Sequence, residues 1–269
     1  MLICAAAMLF LAPVPVNAAM TWETNKFDGN AGNWTISYNN AANANNVDWL
    51  NSNLAGGTAG ELGGTFARHT SSAFYGRLLD STISFNDPMH WRGVFSATNT
   101  YANWNNSVFI GYFNTTEALG DSEVNYIGWR NREPTSSTST TEGFRSRARI
   151  GVQGNLSSPN GQYLQGQSYA FDVEWVPSGL NDGSGTFSGS IGGWSFSQAY
   201  AAQSSGPGFD AFGLWWDESA IDANIKFDAY FDNLEYLVPV VPEPSGLALT
   251  VLGAAALCFR LRLRSLRLN

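Results

Sequence analysis

Between residues 19 and 240, apolar and polar positions alternate in short runs broken by clusters of Gly, Asn, Asp and Ser. A period of two marks antiparallel strands, whose side chains go alternately to a core and to water. The pattern predicts strands at 34–38, 64–68, 76–85, 91–97, 107–113, 125–132, 144–152, 169–176, 185–191, 209–216 and 225–237. Amphipathic runs of the kind that serve as crossover helices are nearly absent, so two packed antiparallel sheets in a jelly-roll sandwich are expected, and an α/β fold is not. The one candidate for a short helix lies within 41–54, where the asparagines disfavour it.

The ends break this pattern. Residues 2–16 are apolar and small, and Val16-Asn17-Ala18 then offers the small residues a signal peptidase reads, so residues 1–18 are expected to be a signal peptide cleaved after Ala18. No Lys or Arg precedes the apolar run, which leaves a weak n-region or an upstream start. A buried N-terminal strand or helix is the alternative. Cys4 sits too near Met1 to follow a complete apolar region, which argues against a lipoprotein, and Cys258 lies in the tail. The segment between the ends has no cysteine and therefore no disulfide framework.

At the other end, Val241-Pro242-Glu243-Pro244-Ser245 precedes the apolar run GLALTVLGAAALCF and the basic end RLRLRSLRLN. The run is shorter than the roughly 20 residues of a comfortable transmembrane helix, but flanking arginines extend its reach by snorkelling. Arg260, Arg262, Arg264 and Arg267 are expected to stay cytoplasmic, which leaves everything before them outside. Residues 241–269 resemble the PEP-CTERM sorting domain, which marks exported proteins of Gram-negative bacteria for an exosortase-type membrane protease. The resemblance implies that Pro242, Glu243 and Pro244 form the recognition element, that the membrane helix is transient, and that the product reaches the cell surface or matrix, often beside exopolysaccharide. An anchor that is never processed is the alternative.

The remaining 19–240 segment is long enough for one sandwich domain. It carries 10 basic residues (14 minus the four tail arginines) and 21 acidic ones (22 minus Glu243), a balance of 10 − 21 = −11. That argues against nucleic acid, whose phosphates need a basic footprint, and suits an extracellular protein. The opening W-E-T-N-K-F-D at 22–28 with Trp34, the stretch Y-A-F-D-V-E-W-V-P at 169–177 and the closing Y-F-D-N-L-E-Y at 230–236 resemble concanavalin A-like jelly rolls.

Several hydrolases of that superfamily carry carboxylates at alternate positions of one strand. Asp172 and Glu174 fit that spacing, but the first glutamate of the E-x-D-x-E pattern is Ala170 here, so a retaining mechanism lacks its nucleophile. Two solvated acids on an outer face are the simpler reading. The two histidines, His69 and His90, give little material for a Ser-His-Asp or metal site and read as structural or surface residues. Asn181-Asp182-Gly183-Ser184-Gly185 lacks the following acid of a calcium loop and reads as a hairpin turn. No cofactor is expected; structural calcium on acidic loops such as Asp210 or Asp217-Glu218 is the alternative, with no motif behind it.

Half of the domain's basic residues sit on one hairpin: Arg130 and Arg132 before a Ser/Thr-rich loop, and Arg145, Arg147 and Arg149 after it at period two. Guanidinium forks pair with uronate carboxylates and an indole stacks on a sugar face, so these five with Trp129 are the candidate glycan-binding residues. Pairing of the arginines with neighbouring acids is the alternative. Trp215 and Trp216 fall on opposite faces of one strand. With no catalytic residues assigned, the expectation is a non-catalytic, glycan-binding surface protein. A jelly-roll glycoside hydrolase or lyase, and a purely structural matrix component, are the alternatives.

Overall fold

The computed structural model describes residues 19–36, 46–57, 59–68, 73–101, 107–118, 126–132, 144–150, 161–163, 166–202, 208–216 and 222–240. The expectations for residues 1–18 and 241–269 lie outside these, as do those for His69, Asp217 and Glu218. Among the described residues no helix is long and apolar enough to cross a membrane.

Numbered along the chain, the eight-stranded sheet runs β13 (Trp194–Tyr200), β12 (Gly185–Ile191), β11 (Ser168–Pro177), β6 (Met89–Tyr101), β15 (Asp222–Pro239), β4 (Glu61–Arg68) and β3 (Asn46–Leu50). Its eighth member, β1 (Met20–Asn25), pairs with the last third of β15. The seven-stranded sheet runs β10 (Gly161–Tyr163), β9 (Phe144–Ile150), β8 (Tyr126–Arg132), β7 (Ser107–Phe113), β14 (Phe209–Trp216), β5 (Ala73–Ile83) and β2 (Trp34–Ile36). All pairings are antiparallel, and β4, β5, β6 and β7 alternate between the sheets, as do β14 and β15. This is the wrapped connectivity of a jelly roll. The one helical element among the described residues is a single turn, α1 (Thr115–Ala118).

Every strand that alternation predicts is present, and the segment 41–54 is corrected: Asn46–Leu50 forms the edge strand β3, not a helix. Val47 is buried while Asn46 and Asp48 are exposed, so period-two burial overrides the asparagines. The interior is aromatic. Trp91, Trp129 and Trp175 are fully buried between the sheets with Phe95, Phe171, Phe187, Phe231 and Tyr236. Loss of any one of these indoles costs about 3–5 kcal/mol. Tyr112 ties the sheets together, its hydroxyl donating to the Leu237 carbonyl at 2.7 Å and lying 3.2 Å from that of His90.

One irregularity decides which residues of β15 face outward. Phe231, Leu234 and Tyr236 are all core, a spacing of three and then two that a regular strand does not allow. A register shift between Asp232 and Glu235, with Asn233 at φ 51°, absorbs the extra residue. The bulge buries Asp232 and puts Glu235 opposite Arg92.

Candidate functional site

On the outer face of the seven-stranded sheet, three rows cross the strands in register. The first reads Phe74, Trp215, Phe109, Arg130, Arg147. The second reads Gly76, Gly213, Gly111, Gly128, Arg149, and the third Leu78, Ala211, Phe113, Tyr126. A Cβ on Gly111 would come within 2.1 Å of the Ile127 carbonyl oxygen, and one on Gly213 within 2.5 Å of Gly76 Cα, so the backbones here lie too close for a side chain. Rings from the flanking rows lean over the glycines. The centroids of Phe109, Trp215 and Tyr126 lie 4.5–5.0 Å apart, and about 10 Å³ of space remains above the row. Phe74, Phe109, Phe113, Tyr126, Ala211 and Trp215 form a second apolar cluster, each ring no more than 5% exposed. It covers the glycine backbone as aromatic neighbours do in other sheets.

The candidate glycan residues divide here. Trp129 is fully buried, with ring centroids 4.5 Å from Phe95 and 5.1 Å from Phe171, so its indole is a core group and offers no face to a sugar. This corrects its expected role. Register sets Arg130 opposite Arg147, Arg132 opposite Arg145, and Gly128 opposite Arg149, whereas Trp129 lies opposite Ala148. The five arginine positions therefore share one parity on two paired strands, and Trp129 has the other. The side chains of these arginines, and of Trp216, lie outside the described residues.

The outer face of the eight-stranded sheet is largely polar, with Val176 its most exposed apolar side chain among the described residues. Asp172 and Glu174 lie on it, while Phe171, Val173 and Trp175 are core, as alternation predicts. Neither acid is set up as half of a glycosidic pair: Asp172 Oδ1 lies 2.6 Å from His90 Nε2, and Glu174 accepts from Ser188 Oγ at 3.0 Å. Arg92 is ion-paired with Glu235 and stacks 4.9 Å from the ring centroid of Trp22. The His90 ring meets Trp22 edge-on at 4.7 Å. Trp22 and this coupling were missed from sequence. A tryptophan on alternate positions with Thr24 near the start of the domain was the available signal.

Two buried carboxylates also escaped the sequence reading. Glu61, 1% exposed, accepts from Ser52 Oγ and from the backbone N–H groups of Leu54 and Ala55, which folds the loop before β4. Asp232, also 1% exposed, accepts from Asn233 N at 2.6 Å. Burial, reinforced by the nearby Asp28 and Glu61 carboxylates, pushes its carboxyl up to about 6. Asp210 accepts from Thr115 N and Oγ1 at 2.7 and 2.8 Å and so caps α1. Among the described residues no group of three or more His, Cys, Asp or Glu side chains is placed to hold a metal ion. The 178–184 loop is the hairpin turn its sequence predicts, with Asn181 and Gly183 at positive φ; hydrogen bonds from Ser184 hold Asp182 below the usual carboxylate range.

No family model and no curated protein matches the sequence. Solved structures do. The endo-β-1,4-glucuronan lyase of the fungus Trichoderma reesei superposes with a TM-score of 0.52 at 11% identity, over 81% of this chain and 95% of that one. A carbohydrate esterase of the Shiga toxin-encoding bacteriophage phi24B gives 0.51 at 13% identity, over 82% and 100%. At such identities the likeness establishes a shared jelly-roll architecture.

Proposed function

We propose that this chain is an exported surface or matrix protein whose sandwich binds an anionic polysaccharide without cleaving it. The observation that carries the reading is the register of β8 and β9, which gathers Arg130, Arg132, Arg145, Arg147 and Arg149 at one parity in a domain that is otherwise strongly acidic. Guanidinium groups so spaced suit a polymer with a carboxylate on each sugar. The fold shared with a glucuronan lyase and a carbohydrate esterase supports a glycan partner. Asp172 and Glu174 are held by His90 and Ser188, which favours binding over hydrolysis.

Export completes the proposal. Residues 1–18 direct secretion, Pro242, Glu243 and Pro244 present the chain to an exosortase-type protease, and the apolar run with Arg260, Arg262, Arg264 and Arg267 holds it in the inner membrane until processing. No cofactor and no nucleic acid enter this scheme.

Retention of the secreted protein on immobilised alginate or polyglucuronate tests the binding. Retention is expected to fall as salt rises, and about tenfold in Arg130→Ala/Arg147→Ala at fixed ionic strength. Equal retention by that variant sinks the reading, and release of unsaturated sugar ends by the wild type replaces it with a lyase. Mass spectrometry of the secreted protein tests the sorting, because a C-terminus still at Asn269 contradicts it.

A further inference from the structure

We infer that the outer face of the eight-stranded sheet carries a second saccharide site, formed by a depression on one side of Arg92 and by Trp22 on the other, and selective for neutral polysaccharide. Its residues are separate from the arginine hairpin, and it does not rest on the anionic reading.

Three features converge there. A polar row, Thr24, Glu235, Arg92, Asp172, Ser190, Ser195, runs in register across six strands. At the usual strand spacing it is about 24 Å long. Beside it lies an open depression of about 370 Å³, lined by Arg92, Ala170, Asp172, Ser190, Asn233 and Glu235. That volume falls in the range of small-ligand sites. Ala170 gives the depression only a methyl group where the next outward positions of its strand, Asp172 and Glu174, carry carboxylates, and Gly192 closes it without a side chain. On the other side of that row, in register with Leu237, stands Trp22, 41% exposed and the one aromatic ring among the exposed large hydrophobic residues described.

The indole is held in place. Arg92 lies against its ring and is itself fixed by Glu235, while His90 abuts it edge-on and is fixed by Asp172. An apolar plate on one side of the Arg92–Glu235 pair, with groups on the other that accept (Asp172, Glu235), donate (Arg92, Asn233) or do both (Ser190), matches successive sugars of a pyranose chain, each with an apolar face and a rim of hydroxyls that donate and accept. Because the plate and its partners are ordered before binding, little conformational entropy is lost on it.

Charge selects the ligand class. Facing the depression and its margin are the carboxylates Asp172, Glu174 and Glu235 against Arg92 and His90, and both bases are already paired. A uronate or phosphate entering here finds Arg92, the one basic residue lining the depression, already committed to Glu235, whereas a neutral hydroxyl can use the spare lone pairs of Asp172 and Glu235. With an anionic chain on the opposite sheet, one molecule would bridge two kinds of polysaccharide.

Titration calorimetry of the full chain in mild detergent, with cellohexaose, xylohexaose and mannohexaose, tests the site. At least one is expected to bind, with an affinity insensitive to salt. Trp22→Ala and, separately, Ser190→Trp, which fills the depression, are each expected to weaken it at least tenfold and to leave alginate retention unchanged. If none of the three binds, or if both folded variants bind as the wild type does, the site is refuted. A wild type that is not retained on alginate but still binds a neutral oligosaccharide would refute the anionic reading alone.

Discussion

The two outer faces of the sandwich use the same pleat in opposite ways. On the seven-stranded sheet, glycines line one row and aromatics lean over them, so that the part of this face on β5, β14, β7 and the start of β8 is a second apolar cluster. On the eight-stranded sheet, Ser, Asp, Glu, His and Arg occupy most of the equivalent positions, and among the described residues Trp22 is the tryptophan that stands exposed, at the margin. Equal aromatic content would mean little by itself, since a ring under cover stabilises the fold and a ring in water is available to a ligand. Trp215 and Trp22 represent the two cases.

The sharpest way to break the contrast is to fill the glycine row. Gly111→Val forces side-chain atoms against the Ile127 carbonyl oxygen, 2.1 Å from the ideal Cβ, and is expected to destabilise the domain by about 4 kcal/mol or more, read from urea unfolding. Removing a covering ring comes next: Trp215→Ala is expected to cost about 3–4 kcal/mol by the same measurement. Trp22→Ala, at an exposed ring, is expected to cost less than about 1 kcal/mol, and a loss like that of Trp215→Ala would erase the distinction.

Between these lies a test in the bulge of β15. Asp232 has its folded-state carboxyl raised from an ordinary 3.8 to about 6, so its protonated form is the one the fold favours. The associated stability is fully present below pH 3.8 and is lost as pH rises through about 6. Asp232→Asn escapes that loss. It is expected to match the wild type at pH 3.5 and to exceed it by about 2 kcal/mol at pH 7.5 in urea unfolding, and a variant less stable at pH 7.5 contradicts the assignment. The smallest effect is expected for the surface pair: Asp172→Ala removes the contact of a half-exposed carboxylate to His90 and should change stability by less than about 1 kcal/mol.

Much of the sandwich was legible because alternation is strongest where one face is buried. Phe171, Val173 and Trp175 against Asp172 and Glu174 is such a case. The strands that escaped notice are β1, β3, β10 and β13. Three of them are sheet edges and β1 lies off the main strand order, so they bury few side chains and carry weak patterns; β13 has one buried position, Phe196. The role given to Trp129 failed by the same rule that placed the arginines. A residue next to Arg130 belongs to the other face, and only its burial shows that this face is the core. Gly76, Gly111, Gly128 and Gly213 were illegible as a row, since each is an isolated glycine until pairing aligns strands far apart in the chain. The bulge at Asp232 and Asn233 hid the outward position of Glu235 in the same manner.

The first and last described strands leave the sandwich side by side. Met20 pairs with Pro239, and Val240 N donates to the Ala19 carbonyl at 2.7 Å. Tension applied at Val240 acts along β15, which is hydrogen-bonded to β1, β4 and β6. Those rungs lie across the line of pull and share the force, so the strand is loaded in shear and cannot be peeled off one bond at a time. A body tethered at that corner would swing about a single point, with both broad faces free to meet what surrounds it.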